Sequence, residues 1–310
     1  MRKRLLALFT AVITAVLLCG CSQSQETDDG KLKIVTTIFP AYDFARQVFG
    51  DKADITLLLK PGTESHSYDP SARDIVKIDS CDLFIYNGGE SDAWVDNVLK
   101  TTDDVNTLRM MSFVEALEEE GLIGSEDHDD HDDTEYDEHI WTSPKNAVLI
   151  LNGIKNEAIR LDNANRGFYE QNADDYAEQI LNLDCRFGDL LTGENRYFVF
   201  GDRFPLLYFF KVYGLNYYAA FPGCSSETEP SAQTVAFLTE ELKNDDTVKA
   251  VFCIELSNRK LAETLATENA LSTFEFHTCH NITADDFVAG ESYVSLMERN
   301  YQMLKNVLQN

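Results

Sequence analysis

The sequence has few basic residues for its 310 positions. Lysine and arginine together number 26, against 53 aspartates and glutamates, which gives a formal charge of −27. A surface with this charge repels the phosphate backbone of nucleic acids and attracts cations. The composition therefore argues against a nucleic-acid partner and favours a cationic ligand.

Sequence signatures of hydrolases and of zinc knuckles are also missing. The chain contains no His-Glu-x-x-His, no Gly-x-Ser-x-Gly and no Cys-x-x-Cys. We therefore predict a binding protein rather than an enzyme, and a secreted metallohydrolase is the less favoured alternative. Beyond the N-terminal region the cysteines are odd in number, which permits at most two disulfides and a free thiol: Cys81, Cys185, Cys224, Cys253 and Cys279.

The N-terminal region has the pattern of an export signal. The apolar run at 5–18 follows three basic residues and is shorter than the about 20 residues that a membrane-spanning helix needs. The next residues place Cys21 after Leu-Cys-Gly, a pattern typical of the cleavage site of bacterial lipoproteins. We predict a signal peptide over 1–20, lipidation of Cys21, and a flexible tether over 21–30. The mature chain would then be anchored to the extracytoplasmic face of the cell membrane.

Strand and helix patterns alternate along the rest of the chain. The β-rich runs are 33–39, 55–59, 82–86, 197–200, 217–220, 248–254 and 273–276. The helical patterns are 42–49, 71–80, 231–242, 258–268 and 285–308. This alternation indicates βαβ units, so we predict an α/β fold with two lobes, each a mainly parallel sheet flanked by helices.

One long amphipathic pattern separates the two predicted lobes. Side chains that could share one helix face recur at three- and four-residue steps at Phe168, Asn172, Tyr176, Ile180, Leu183, Phe187 and Leu190. A helix of roughly 25 residues, about 37 Å long, could join the lobes, although it could also cover only one sheet. We predict an N-terminal lobe over 31–163, the linking helix over 164–192 and a C-terminal lobe over 193–310.

The 6 histidines occur in only three groups. They are His66, then His128, His131 and His139, then His277 and His280. Imidazole is the commonest transition-metal ligand, and open parallel sheets bind ligands beyond the carboxyl ends of their strands. His66, Asp202, Glu255 and His277 all follow predicted strands. We therefore predict a divalent metal site between the lobes, against the alternative that these residues lie on turns and solvated faces.

An acidic loop precedes His139. Between residues 118 and 138, 12 of 21 residues are aspartate or glutamate, and His128 and His131 lie among them. Such a segment cannot bury a core, so we expect disorder without a cation and a role as a low-affinity metal collector. A solubilising charge run is the alternative. His139 has apolar neighbours in Ile140 and Trp141, so we predict that it is a fixed ligand.

Three motifs resemble those of the zinc and manganese solute-binding lipoproteins of ABC importers, the TroA-like or cluster A-I receptors. They are Pro-Gly followed by His-Ser-Tyr-Asp-Pro at 61–70, Asp-Glu-His-Ile-Trp-Thr-Ser-Pro at 137–144, and Tyr-Gly-Leu at 213–215. The resemblance covers nearly all of the mature chain. It implies two α/β lobes joined by a rigid helix, a metal in the cleft between them, and delivery to a membrane permease. It also implies one ligand from each of four loops, the first two being His66 and His139.

The second lobe departs from the pattern of that family. Where most zinc receptors of the family have a histidine before the Tyr-Gly-Leu turn, this chain reads Gly-Asp-Arg-Phe-Pro, and Asp202 is the nearest possible ligand. Where the family commonly has an aspartate after its last strand, this chain has His277, with His280 as a rival. Glu255 is the reserve if Asp202 instead caps a helix or pairs with Arg203.

The resulting ligand set is His66, His139, Asp202 and His277. Three imidazoles and one carboxylate suit tetrahedral Zn²⁺, whereas a second carboxylate from Glu255 would favour Mn²⁺ or Fe²⁺. We expect a disulfide between Cys224 and Cys279 rather than cysteine ligation. The predicted function is a monomeric lipoprotein that captures Zn²⁺ for an ABC permease. The alternatives are a Mn²⁺ or Fe²⁺ receptor and a metal-buffering surface adhesin.

Overall fold

The computed structural model describes residues 30–63, 68–102, 104–120, 135–223 and 230–309. All of the elements below belong to the compact unit Leu32–Asn310. The predicted signal peptide and most of the tether lie outside the described residues, as do Cys21, His66, His128, His131 and Cys224. Within the described residues, no helix is long and apolar enough to cross a bilayer.

The first lobe is built on a sheet of four parallel strands in the order β2-β1-β3-β4. The strands are β1 (Leu32–Thr36), β2 (Ala53–Leu57), β3 (Leu83–Tyr86) and β4 (Thr107–Arg109). The helices are α1 (Phe39–Phe49), α2 (Ala72–Asp79), α3 (Val95–Leu99) and α4 (Pro144–Leu161). Because β2 and β3 lie on opposite sides of β1, the carboxyl ends of β1 and β3 border a crevice of the kind that binds ligands in such sheets.

The linking helix is α5 (Arg166–Leu191). Its buried face consists of Tyr169, Ala173, Tyr176, Ile180, Leu183, Phe187 and Leu191. These residues belong to one apolar core that also contains residues of both sheets. The predicted pattern is confirmed from Tyr176 to Phe187. Toward both ends the buried residue is the next one in the chain, since Tyr169, Ala173 and Leu191 are buried in place of Phe168, Asn172 and Leu190. A continuous core of this kind restricts motion between the lobes.

The second lobe repeats the architecture of the first, with four parallel strands in the order β6-β5-β7-β8. The strands are β5 (Tyr197–Phe204), β6 (Asn216–Pro222), β7 (Ala250–Ile254) and β8 (Ser272–Phe276). The helices are α6 (Leu207–Tyr213), α7 (Ala232–Asn244), α8 (Lys260–Glu268), α9 (Ala284–Ala289) and α10 (Tyr293–Gln309). The predicted fold class is therefore confirmed.

Several element boundaries differ from the sequence prediction, and two of the differences have a clear physical cause. The strand predicted over 33–39 ends at Thr36, and Phe39 begins α1 because Pro40 in the first turn is already set for a helix. The helix predicted over 285–308 is divided into α9 and α10. Gly290 ends α9 with a φ of 78°, a left-handed conformation that glycine adopts without a steric penalty.

A buried carboxylate joins three helices. Asp43 of α1 is 0% exposed. Its Oδ2 accepts hydrogen bonds from the Tyr176 hydroxyl of α5 at 2.6 Å and from the Tyr293 amide of α10 at 2.9 Å. Its Oδ1 accepts a hydrogen bond from the Arg46 guanidinium at 2.5 Å. One side chain thus connects the first lobe, the linking helix and the C-terminal helix.

We expect Asp43→Ala to lower the free energy of unfolding by about 3 kcal/mol, because two buried donors lose their acceptor. Urea unfolding followed by circular dichroism measures the change. Asp51→Ala is the matched control, since the Asp51 side chain is 76% exposed beside Lys52, and its effect should stay within about 0.5 kcal/mol. Equal effects of the two substitutions would contradict the assigned role of Asp43.

Candidate metal centre

A small cavity lies between loops of the two lobes. Its volume is about 30 Å³, which is room for an ion or a water molecule. Thr63 and His139 of the first lobe border it, as do Glu255, His280 and Asn281 of the second. The carboxyl ends of β2, β7 and β8 lead into these loops. The cavity therefore lies where the strand patterns predict a ligand site.

His139 is fully buried at this cavity. Its backbone amide donates a hydrogen bond to Oδ1 of Asp137 at 2.7 Å, and its Nδ1 lies 3.2 Å from the same oxygen. Because an ionised carboxylate only accepts hydrogen bonds, we assign the ring proton to Nδ1, which leaves the lone pair on the buried Nε2. A histidine whose Nδ1–H contacts a carboxylate is the usual arrangement of a metal ligand.

The charges around His139 change its pKa. Burial lowers the pKa of the ring, but the negative charges of Asp137, Glu138 and Glu119 and the hydrogen bond to Asp137 outweigh burial. The pKa is therefore raised above its ordinary value of 6.5. A proton or a metal cation is stabilised at this ring by the same carboxylates.

His280 of the second lobe lies beside His139. Their ring centroids are 5.3 Å apart at an interplanar angle of 76°, and the His280 ring also contacts Trp141 at 5.0 Å. Two imidazoles that share a tetrahedral Zn²⁺ at about 2.1 Å have centroids roughly 5 Å apart. The pair therefore has the separation that a shared zinc ion requires.

His277 has a different hydrogen-bonding environment. Its Nδ1 accepts a hydrogen bond from the Cys279 amide at 2.9 Å, so the proton of the neutral ring is on Nε2. That Nε2 is buried and has no hydrogen-bond partner among the described residues. Neither nitrogen offers a free lone pair, and His277 does not border the cavity. The geometry thus favours His280 over His277, although the sequence analysis placed His277 first.

Asp202 joins two strands of the second sheet. Its Oδ1 accepts a hydrogen bond from the Arg203 amide at 2.8 Å, and its Oδ2 accepts one from the Ile254 amide of β7 at 3.2 Å. It is not a helix cap, because α6 begins at Leu207. It also does not border the cavity, whereas Glu255 does. The structure therefore brings Glu255, the reserve residue, rather than Asp202 to the same cavity as His139.

Glu255 holds the turn that presents His280. Its Oε2 accepts a hydrogen bond from the Thr278 amide at 2.7 Å, and its Oε1 accepts hydrogen bonds from the Thr278 hydroxyl at 2.5 Å and the His280 amide at 3.3 Å. Within this turn Cys279 has a φ of 62°, a conformation that is unusual for a residue other than glycine. The Glu255 carboxylate stabilises the turn, and its Oε2 retains capacity to bind a cation.

The cysteines do not form the expected disulfide. Cys279 is a free, buried thiol, so the predicted bond from Cys224 to Cys279 is wrong. Burial raises the pKa of the Cys279 thiol well above its ordinary value, which keeps it protonated. The thiols of Cys81, Cys185 and Cys253 are free as well.

The two ends of the acidic loop are ordered. Glu118 pairs with Tyr136 in an antiparallel bridge, and the Asp137 amide donates to the Leu117 carbonyl at 2.9 Å. The hydroxyl of Tyr208, in α6, accepts a hydrogen bond from the Leu117 amide and donates one to the Asp137 carbonyl, both at 2.9 Å. The expectation of disorder is wrong for these ends, which form a short paired stem against the second lobe. The rest of the loop, 121–134, lies outside the described residues.

Within the described ranges, no three histidine, cysteine, aspartate or glutamate side chains are grouped so as to hold a metal ion. His139 and His280 form a pair, with Glu255 on the cavity wall. Thr63 and Gly223 also border the cavity, and they directly precede segments 64–67 and 224–229, to which His66 and Cys224 belong.

The sequence matches known zinc-uptake proteins. The family described as zinc-uptake complex component A, periplasmic, matches residues 34–307. The zinc-binding lipoprotein AdcA of Streptococcus pneumoniae (strain ATCC BAA-255 / R6) is 33% identical over 306 residues, which cover 97% of this chain and 60% of the relative. The high-affinity zinc uptake system protein ZnuA of Bacillus subtilis (strain 168) is 29% identical over 311 residues, which cover 98% of this chain and 97% of the relative. This chain thus spans less than two thirds of the pneumococcal protein.

Solved structures show the same architecture. The Zn(II)-bound ZnuA-like domain of Streptococcus pneumoniae AdcA has a TM-score of 0.75 and 32% identity, covering 91% of this chain and 100% of that one. The metal-dependent lipoprotein YcdH of Bacillus subtilis has a TM-score of 0.75 and 28% identity, covering 90% and 100%. The resemblance seen in the motifs around residues 66 and 139 is therefore confirmed, and the chain belongs to the family of zinc-uptake complex component A.

Proposed function

We propose that this chain captures one Zn²⁺ ion outside the cytoplasm and delivers it to the permease of an ABC importer. The observation that carries the proposal is the pair of buried imidazoles, His139 and His280, which come from different lobes and lie 5.3 Å apart at a cavity of about 30 Å³. The zinc-binding lipoproteins and the zinc uptake system protein among its relatives support the same ion.

The proposed ligands are His66, His139 and His280, with Glu255 as the carboxylate. His280 takes the place of His277 because its ring contacts His139, and Glu255 takes the place of Asp202 because it borders the cavity. Three imidazoles and one carboxylate favour Zn²⁺ over Mn²⁺, which prefers more oxygen ligands.

The cellular setting follows from the N-terminal pattern. We propose that Cys21 carries a lipid and that residues 21–30 tether the protein to the extracytoplasmic face of the cell membrane. The tethered protein would be a monomeric receptor with lobes over 31–163 and 193–310, joined by 164–192. The family description as a periplasmic component supports an extracytoplasmic location. An enzymatic role is not proposed, because the relatives are named as zinc-binding and zinc-uptake proteins.

Zinc stoichiometry tests this function and the role of the acidic loop together. Calorimetry of the mature chain should show one tight Zn²⁺ site and additional weaker binding events. Replacing 126–133 by a glycine-serine segment of equal length should remove only the weaker events, because this replacement leaves the paired stem at 117–120 and 135–137 unchanged.

Two results would contradict this view. Several weak sites without a tight one in the unaltered chain would favour a metal-buffering adhesin over a receptor. Loss of the tight site in the replaced chain would make His128 or His131 a ligand rather than part of a metal-collecting loop.

A further inference from the structure

The segment that carries His280 is hydrogen-bonded to the opposite lobe. We call residues 278–282 the His280 turn. Backbone carbonyls of this turn accept three hydrogen bonds from the first lobe: from Nε1 of Trp141 to Thr278 at 2.9 Å, from the Phe39 amide to His280 at 3.3 Å, and from the Gly62 amide to Ile282 at 2.7 Å. The ligand-bearing turn is therefore attached to the first lobe as well as to its own.

The side chain of Asn281 adds two more of these bonds. It is 3% exposed, and its Nδ2 donates hydrogen bonds to the carbonyls of Lys60 at 3.0 Å and Thr63 at 2.7 Å. Its Oδ1 accepts a hydrogen bond from the Ile282 amide at 2.8 Å. Both amide hydrogens are thus engaged with the first lobe, and the oxygen is engaged within the His280 turn, so all three groups fix the position of Asn281 at the cavity.

We propose that Asn281 is a positioning residue for zinc capture, whose amide fixes the His280 turn against the loop at 60–63 and so holds His280 at binding distance from His139. The inference rests on the proposed function. Metal–ligand distances tolerate errors of only about 0.2 Å, so a turn that moves relative to the first lobe would bind the ion less tightly. Among side chains of this size, asparagine alone donates two hydrogen bonds while accepting one, which aspartate and leucine cannot do.

The substitution Asn281→Asp distinguishes a positioning role of Asn281 from a direct electrostatic effect on the bound ion. Aspartate has nearly the same shape, but its carboxylate would face two carbonyl oxygens and could not donate to them. The added negative charge near the cavity would by itself tighten Zn²⁺ binding. We expect the opposite: a rise of the Zn²⁺ dissociation constant by at least tenfold in both Asn281→Asp and Asn281→Ala, measured by competition with a chelating dye.

Two further readouts report on position rather than on stability. The visible absorption of bound Co²⁺ depends on coordination geometry, and its bands should change in both Asn281 variants. Hydrogen exchange of the Gly62 amide, which is bonded to Ile282 across the lobes, should become faster. If Asn281→Asp does not fold, Asn281→Ala, which introduces no charge, provides the same readouts.

Asn300→Asp is the matched control. Asn300 is also buried, and its amide binds the backbone amide and carbonyl of His277 at 2.8 and 2.7 Å, entirely within the second lobe. We expect this variant to be less stable but to keep its Zn²⁺ dissociation constant within threefold and its Co²⁺ spectrum unchanged. Equal weakening in the control would assign the effect to general destabilisation and overturn the inference.

Two other outcomes show whether the inference about Asn281 fails or the proposed function itself fails. Zn²⁺ binding by Asn281→Asp that is as tight as or tighter than that of the unaltered chain, with an unchanged Co²⁺ spectrum, would also overturn the inference and leave the function intact. If the unaltered chain itself fails to bind one Zn²⁺ tightly, the proposed function fails instead.

Discussion

Replacing either His139 or His280 by alanine is expected to raise the Zn²⁺ dissociation constant by on the order of 1,000-fold or more. Loss of a residue that merely supports a metal ligand typically costs 10- to 100-fold, and loss of a ligand itself costs more. Both rings are buried at the same cavity with centroids 5.3 Å apart, so either substitution removes one of two adjacent imidazoles. Competition with a chelator of known affinity measures the change.

His277→Ala is the control for this prediction. His277 is a buried histidine three residues before His280, but its Nδ1 accepts a hydrogen bond from the Cys279 amide. Its loss should change the dissociation constant by less than tenfold. If His277→Ala abolished binding and His280→Ala did not, the first assignment of His277 as the ligand would be restored.

The carboxylates offer a second comparison within the same experiment. Glu255→Gln removes a charge from the cavity wall, whereas Asp202→Asn alters a residue that does not itself border the cavity and whose carboxylate accepts hydrogen bonds from the amides of Arg203 and Ile254. The first substitution should weaken Zn²⁺ binding by more than the second. The reverse order would return Asp202 to the ligand set.

The architecture could be predicted because it depends on local patterns. Apolar runs with β-branched residues, separated by helical patterns, indicated parallel sheets, and the middle of α5 carries the buried face that its spacing predicted. Helix α4 had signals that the sequence analysis did not use, since Ser143 caps it and Pro144 begins it. Strand β4 has only three residues, Thr107–Arg109, which is too short for a periodic signal.

The ligand set could be predicted only in part, because it depends on directions that residue spacing does not contain. Asp202 was predicted to follow a strand that ends at residue 200, but it lies within β5, and its carboxylate binds the Ile254 amide of the neighbouring strand. The choice between His277 and His280 depends on a left-handed residue at Cys279 and on the Glu255 carboxylate, 25 residues before His280 in the chain. Neither the backbone conformation of Cys279 nor the hydrogen bonds of Glu255 can be recognised from the sequence. The hydrogen bonds of Asn281 cannot be recognised from it either.

We also expect acid to have a large effect on the stabilisation of the protein by Zn²⁺. The increase in melting temperature that Zn²⁺ produces should be large at pH 7.5 and should shrink steeply below about pH 6. Metal ligation requires neutral imidazoles, whose ordinary pKa is about 6.5, so protons compete with the ion at each histidine ligand. At His139 the competition begins at higher pH, because Asp137, Glu138 and Glu119 raise its pKa despite burial.

The raised pKa of His139 also makes the stability of the zinc-free protein depend on pH. A histidine whose pKa is raised on folding stabilises the folded state when it is protonated. For His139 this stabilisation is fully present below the unfolded value of about 6.5, and it is lost as the pH rises through the higher folded value. Acid therefore stabilises the zinc-free protein at this residue while it removes the ion from the zinc-bound protein. These are two sides of one competition between proton and metal, which reduces the zinc-dependent increase in melting temperature.

Thermal melts with and without Zn²⁺ from pH 7.5 to 4.5 measure this increment. An ion at 100 times its dissociation constant adds about 2.7 kcal/mol to the stability of the folded state, which is readily detected. Asp137→Asn removes the charge nearest to the His139 ring, so the midpoint at which its increment is lost should move to lower pH. A carboxylate-dominated site would retain its increment down to the aspartate and glutamate pKa values of about 4. An increment that is unchanged at pH 5 would therefore mean that His66, His139 and His280 do not bind the ion.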